Sequence, residues 1–244
     1  MNFIKHSLTP DIETASEGYA QRFSGPIGEW FLKMQEEMTL SMMEDFERAE
    51  ILEAGGGHAQ LVPGLLRKNH QLTILGSTTE CQNRILKELE KKLLKFQTGS
   101  LTRFPFPNRS FDIALCFRQL PHLNEWQILI SELCRVAKKS VIVDFPVLRS
   151  LNLFSNTLFF VKKKIEKNTR SYTLFWESEI FNEFKKNGFH LHSKTPEFFL
   201  PMAIHRFLKS PLLSSISEKF FQKCGLTSLF GSPLIVRFDR HHAP

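Results

Sequence analysis

Between Glu50 and Phe145 the chain alternates between short apolar runs and longer segments with one apolar face, and few folds accept that alternation. Glu50–Ala54, Gln71–Leu75, Lys95–Thr98, Phe111–Phe117 and Ser140–Phe145 are strand-sized. Phe111–Phe117 and Ser140–Phe145 are nearly continuous in apolar residues, as strands covered on both faces are. Gln60–Lys68, Thr78–Leu94 and Asn124–Val136 carry the three- and four-residue spacing of helices. Strand then helix, repeated, demands crossover connections, and right-handed crossovers wind helices onto both faces of a mainly parallel sheet. The expected class is therefore α/β and doubly wound. Two later runs, His190–Lys194 and Pro233–Asp239, bring the expected sheet to seven strands. Helices are expected over Asp11–Met43 with a break at Gly25-Pro26, over Leu148–Lys164, and over Glu177–Asn187 with Gly188 as its stop. The apolar stretch Phe198–Cys224 reads as a partly helical insertion into the sheet near the C-terminus. One domain is expected over 1–244: a helical N-terminal cap (1–48), a central half (49–146) and a C-terminal half (147–244).

Size and composition agree with a single packed domain. The chain has 244 residues, 42% of them hydrophobic and 23% charged, enough to bury a core. No apolar run reaches the roughly 18 residues that a membrane span needs. The first eleven residues hold no apolar core of a secretory signal. Cys81, Cys116, Cys134 and Cys224 are far apart, without a CxxC pair or a histidine cluster, so neither a metal site nor a disulfide framework is expected. Buried thiols in a reducing, cytoplasmic setting are expected. The net charge of +7 is uneven: residues 1–146 carry 17 Lys/Arg against 18 Asp/Glu, and residues 147–244 carry 15 against 7. The basic half also holds 14 of the 24 phenylalanines. Basic and aromatic together suggest anionic or amphipathic partners, including transient contact with a membrane surface, although a run of charge is more often a solvated face.

The sharpest local signal is Ile51-Leu52-Glu53-Ala54-Gly55-Gly56-Gly57-His58-Ala59. A strand that runs through glycines into a helix lets backbone approach a nucleotide-like ligand closely. Glu53 precedes Gly55 by two residues, where a carboxylate can face an amine-bearing or cationic group. Gln60 stands where the dinucleotide fingerprint needs its third glycine, which disfavours a nicotinamide dehydrogenase.

These residues, with three later stretches, resemble the class I S-adenosylmethionine-dependent methyltransferases, in particular the small-molecule branch of ubiquinone and menaquinone methylation. The later stretches are Thr98–Leu101 followed by Phe104–Asp112, then Phe117–Leu123, then Leu133–Val136 with the strand at 140–145. The resemblance implies a Rossmann-like fold, S-adenosylmethionine as cofactor, and a role for 49–146 in holding it, with 147–244 as lid and acceptor side. It implies cofactor contacts at Glu53, Gly55, Gly56, Gly57, Ser77, Ser100, Leu101 and Phe117, with Tyr19 and Arg22 closing from the N-terminal cap. His122 takes the place of a general base, and His205-Arg206 that of an anion-binding pair for the substrate. Two departures stand out: the acidic residue expected at the end of the second strand is Gly76, and the expected adenine-binding aspartate is Ser100. The Ser77–Glu80 turn is then expected beside the ribose, with Glu80 as a substitute acceptor. A charged acceptor contributes about 1.5–3 kcal/mol against about 1 for a neutral one, so these changes weaken the expected cofactor affinity.

The expected reaction is methyl transfer to a small hydrophobic or amphipathic acceptor. A methyltransferase fold that has lost its chemistry and serves as an interaction module also fits the two missing carboxylates. A nucleic-acid methyltransferase fits the basic half, but Asp144-Phe145-Pro146 lacks the Asn/Asp-Pro-Pro-aromatic signature of that group.

Overall fold

The computed structural model describes residues 9–150 and 172–241. The cap is α1 (Pro10–Ala15), α2 (Glu17–Ala20), a 3₁₀ turn over Gln21–Phe23, and α3 (Gly25–Ser41). The sheet is built from β1 (Glu50–Ala54), β2 (Gln71–Gly76), β3 (Leu94–Thr98), β4 (Phe111–Cys116), β5 (Ala137–Phe145), β6 (Phe189–Pro196) and β7 (Leu234–Arg240). Its order is β3-β2-β1-β4-β5-β7-β6, with β1 to β5 parallel and β7 antiparallel to both neighbours. The expected seven-stranded, mainly parallel, Rossmann-like sheet is what forms. Helices α4 (Val62–Arg67), α5 (Leu86–Glu90), α6 (Trp126–Val136) and α7 (Glu177–Lys186) connect the strands, and α8 (Met202–Leu208), α9 (Pro211–Lys223) and α10 (Leu226–Phe230) make the C-terminal insertion.

Strand alternation divides the core into two layers. Leu52, Ala114, Cys116, Val141 and Val143 face α6 and α7, where Phe184 stacks on Phe238 at 3.9 Å. Ile51, Ile74, Ile113, Leu115 and Ile142 face the opposite layer with Val62 and Leu65 of α4. Burying each such side chain stabilises the fold by about 1.5–3 kcal/mol. The period of two along each strand allows one register only, because a one-residue slip would exchange the layers. A third cluster, Tyr19, Phe23, Ile27, Phe31 and Phe198, joins the cap to the start of the insertion.

The long helix expected over Thr78–Leu94 does not form. Thr79–Ile85 winds as a 3₁₀ turn, only Leu86–Glu90 is α-helical, and Leu86 and Leu93 are exposed. The chain is tightly packed just before this segment, where a Cβ on Gly76 would lie 2.5 Å from Cys81 Cβ and 2.9 Å from the Phe96 ring. The expected helix over Leu148–Lys164 lies, from residue 151 onward, outside the described residues.

Candidate functional site

The glycine turn forms at the C-terminal edge of the parallel strands, where ligands collect in open α/β sheets. Gly55 takes the left-handed conformation (φ +73°), and its N–H donates to the Leu75 carbonyl at 2.9 Å, tying the turn to β2. Gly56–His58 is a 3₁₀ turn, and Ala59 is also left-handed at φ +60°. Each glycine is needed for close approach. A Cβ on Gly55 would meet Gln119 at 2.6 Å, one on Gly56 would meet Ile74 at 3.0 Å, and one on Gly57 would meet Ala15 Cβ at 2.7 Å and the Asp11 carbonyl at 2.9 Å. The atoms nearest Gly57 therefore belong to α1.

Helix α1 is held there by a carboxylate. Buried Asp11 accepts from the Ser77 N–H (2.5 Å), the Ser77 hydroxyl (2.7 Å) and the Cys81 thiol (3.4 Å). An acidic group thus stands at the end of β2 after all, contributed by the cap and not by position 76. Gln119 completes the arrangement, donating to the Gly55 carbonyl at 2.9 Å and to the Thr14 hydroxyl at 3.4 Å. Tyr19 and Phe23 close over His58, their ring centroids 5.5 and 5.3 Å from the imidazole. Among the described residues neither His58 nitrogen has a hydrogen-bond partner. Burial, then Arg118 and Arg84, lowers the His58 pKa to about 3, so the ring is neutral.

Glu53 lies beneath the turn, buried, and its Oε2 has no hydrogen-bond partner among the described residues. Burial raises its carboxyl to about 8, against a smaller opposing pull from Arg118. On the same sheet face a buried polar cluster joins the ends of β4, β5 and β6. The Gln35 amide donates to Glu197 (2.8 Å) and Asp144 (3.4 Å) and accepts from Arg118 Nη2 (3.0 Å) and from Gln60. The Arg118 N–H donates to Asp144 at 2.5 Å, and its guanidinium lies 4.2 Å from the Phe23 ring. Burial raises Asp144 to about 6; burial and the neighbouring Asp144 raise Glu197 to about 8.

The expected site residues separate in space. Glu53, Gly55, Gly56, Gly57, Ser77 and Tyr19 gather around the turn. Ser100 is exposed at the end of β3 and accepts from the Thr102 N–H at 3.1 Å. Leu101 and Phe117 are core residues in opposite layers. Arg22 packs over the Tyr19 ring (5.1 Å) and pairs with Glu13 (3.6 Å), while Arg118 is the arginine that joins the buried polar cluster. Glu80 turns to the Thr78 hydroxyl at 3.0 Å, and Asp11 takes the acceptor position at Ser77 instead. His122 is half-buried in the 3₁₀ turn Leu120–His122 after β4. His205 does not line an open surface: it is wholly buried against Trp30, Phe31 and Phe198, with Nε2 2.9 Å from Glu218. Arg206 donates to the Arg22 carbonyl at 3.3 Å. The residues that sequence reasoning passed over are Asp11, Gln35, Arg118, Gln119, Asp144 and Glu197. Arg118, Gln119 and Asp144 lie inside the quoted motifs, whereas nothing local marks the others.

The floor fits the adenosyl cofactor: three glycines without Cβ atoms, a left-handed turn, and a buried carboxylate oxygen without a partner. The side of Gly57 away from the sheet is packed by α1. Two surface grooves of about 650 and 550 Å³ lie elsewhere, one beside Trp126 and Glu179, the other beside Met38 and Arg237. Among the described residues no cluster of His, Cys, Asp or Glu is arranged for a metal.

Comparison with known proteins agrees with this geometry. Magnesium protoporphyrin IX methyltransferase from Synechocystis PCC 6803, solved with bound S-adenosylhomocysteine, superposes with a TM-score of 0.64 at 15% identity, covering 93% of this chain and 96% of that one. The same enzyme with bound S-adenosylmethionine gives 0.60 at 13% identity, covering 97% and 100%. A chain from the complex of the Haloferax volcanii Trm112 methyltransferase activator with a methyltransferase gives 0.65 at 15% identity, covering 98% and 100%. A search of curated proteins finds no significant sequence match. Residues 52–143, from the middle of β1 almost to the end of β5, match the family described as Methyltransferase domain, and the fold is that of these solved methyltransferases.

Proposed function

We propose that the chain methylates a small hydrophobic or amphipathic acceptor and that the cofactor is held on the glycine turn. The carrying observation is the turn itself: Gly55–Gly57 at the edge of the parallel strands, over a buried Glu53 whose Oε2 has no partner. When bound, S-adenosylmethionine supplies a methyl group already activated on a sulfonium. The protein then has to align an acceptor and exclude water, and alignment alone can lower a barrier by about 7–11 kcal/mol. Glu53 would accept from the amino group, and Gly55–Gly57 would admit the ligand against the backbone. The Tyr19–Phe23 rings and Arg118 form the side facing an acceptor. His122 is the proposed general base at the mouth, and Asp144, at about 6, is a second proton acceptor deeper in, beside Glu197, which holds its proton at neutral pH. Single-domain organisation, with the cap as closing element and 147–244 as acceptor side, belongs to the same reading. The motif likeness to the quinone-methylating branch supports an apolar acceptor, and the three buried free thiols fit a reducing compartment such as the cytoplasm.

Because α1 packs on Gly57, cofactor and α1 compete for that face in this reading. Titration calorimetry with S-adenosylmethionine, S-adenosylhomocysteine and NAD tests it. Both adenosyl ligands should bind and NAD should not, and Gly57→Val should abolish binding while the protein stays folded. Binding of NAD alone would overturn the reading. The α1 packing and the absent carboxylates at Gly76 and Ser100 also favour a second reading, a methyltransferase fold kept as an interaction module; it predicts no adenosyl binding even when α1 is released.

A further inference from the structure

Helix α9 is patterned inside out. Its inward face carries Ser214, wholly buried, and Glu218, which accepts from the N–H groups of Phe199 (2.8 Å) and Leu200 (2.9 Å) and pairs with His205. Its outward face carries Leu212, Leu213, Ile216 and Phe220, of which Leu212 is 70% exposed, Ile216 56% and Phe220 59%. At 100° per residue these four fall within an arc of about 100°, an apolar stripe about 12 Å long on a thirteen-residue helix. Phe207, near the end of α8 and five residues before Leu212, is 84% exposed.

The stripe is bordered by charge of one sign. Lys209, Lys219 and Lys223 are exposed, and none of them makes an ion pair among the described residues. The only carboxylate between residues 198 and 230 is Glu218, and it faces inward. Protruding leucine and phenylalanine with a lysine border are what an interfacial helix presents to lipid: the rings enter the acyl boundary while the ammonium groups meet the headgroups. A second copy of the chain suits the surface poorly, because a two-fold contact through this face would bring the lysine borders together. The insertion leaves the sheet at Pro196 and re-enters at Leu234, which pair with each other and with Phe145 at the edge that carries the glycine turn.

We infer that the α8–α9 surface docks the protein on an anionic lipid bilayer, with Phe207, Leu212, Ile216 and Phe220 inserted and Lys209, Lys219 and Lys223 on the headgroups. This inference does not depend on methyl transfer. The test is flotation of the full-length protein with vesicles of phosphatidylcholine alone, or with about one third phosphatidylserine. The protein floats with the anionic vesicles, at least about tenfold less with the neutral ones, and is released as salt rises from about 0.05 to about 0.5 M. Phe207→Ser with Ile216→Ser reduces flotation by about tenfold or more at an unchanged melting temperature, since both side chains are exposed in the native protein. Lys219→Glu with Lys223→Glu removes the preference for anionic vesicles. Three results would overturn the inference: no flotation with anionic vesicles, flotation unchanged in the serine double variant, or a dimer in solution that Ile216→Ser dissociates without any lipid binding.

Discussion

Ala59 and Glu53, two residues of the glycine turn, sit in states that their chemistry disfavours. Ala59 stands in the left-handed region (φ +60°), where a side chain costs roughly 1 kcal/mol that glycine avoids. Ala59→Gly should therefore stabilise the protein by about 0.5–1 kcal/mol, read as a small rise in melting temperature; a fall would mean that the methyl contact with the core outweighs the strain. Gly57 is the opposite case. Its need for glycine is not a left-handed backbone but space, since any Cβ would press into Ala15. Glu53 gives a pH signature. An unfolded carboxyl titrates near 4.5, and burial holds the folded one at about 8. Across that window the unfolded chain loses a proton that the native state keeps, so stability is full below about pH 4.5 and falls toward pH 8, by up to about 1.4 kcal/mol per pH unit. Glu53→Gln should shrink the drop in melting temperature between pH 5 and 8; an unchanged drop would place its source elsewhere, with Glu197 the next candidate of the same sign.

Among the elements, α1 governs the site. Six residues are too few to be helical alone, so its structure depends on Asp11 and on the Ala15–Gly57 contact. A hydrogen bond to a charged group contributes about 1.5–3 kcal/mol, and Asp11→Ala removes the shared acceptor of three donors. Amide exchange over residues 10–20 should speed up at least about tenfold, and S-adenosylhomocysteine should bind more tightly because its rival for Gly57 is weakened. Weaker binding would show instead that Asp11 belongs to the cofactor's own site. The same carboxylate makes Gly76→Asp a poor repair of the missing acidic residue: the new side chain would meet Cys81 and Phe96, and its charge would face Asp11 across Ser77. That variant should lose stability without gaining cofactor affinity.

For the whole molecule, Arg237 ties the cap to the sheet. Buried in β7, it forks onto Asp45 (2.5 and 2.7 Å) and Asp239 (both 2.8 Å) and donates to the Met42 carbonyl just past α3. Removing one partner of a buried charge network costs about 3–5 kcal/mol, because the others remain desolvated. Arg237→Ala should lower the melting temperature by roughly 6–20 °C. Asp45→Asn should cost no more than about 1 kcal/mol, since Asp45 is 56% exposed and water replaces the lost charge. Equal losses in the two variants would mean that the network does not act through the arginine.

Strand period, glycine turn and core membership were legible along the chain because each depends on neighbours within a few residues. Alternation within β1, β4 and β5 separates neighbours such as Leu52 from Ile51 and Ala114 from Ile113, and the strand register then places Leu52, Ala114 and Val143 in one layer and Ile51, Ile113 and Ile142 in the other. The Gly55 turn and the buried Glu53 beneath it follow from the same local logic. The segment after β2 departs from its helical spacing because that spacing does not tell a 3₁₀ winding over Thr79–Ile85 from an α-helix. What covers the turn was beyond any local rule. Asp11 meets Ser77 across 66 positions and Gln35 meets Glu197 across 162, so which side chains share the site depends on where the cap and the insertion come to rest. The glycines leave a space at the strand edge because they lack a Cβ; only the folded path of a distant helix decides that Ala15 fills it.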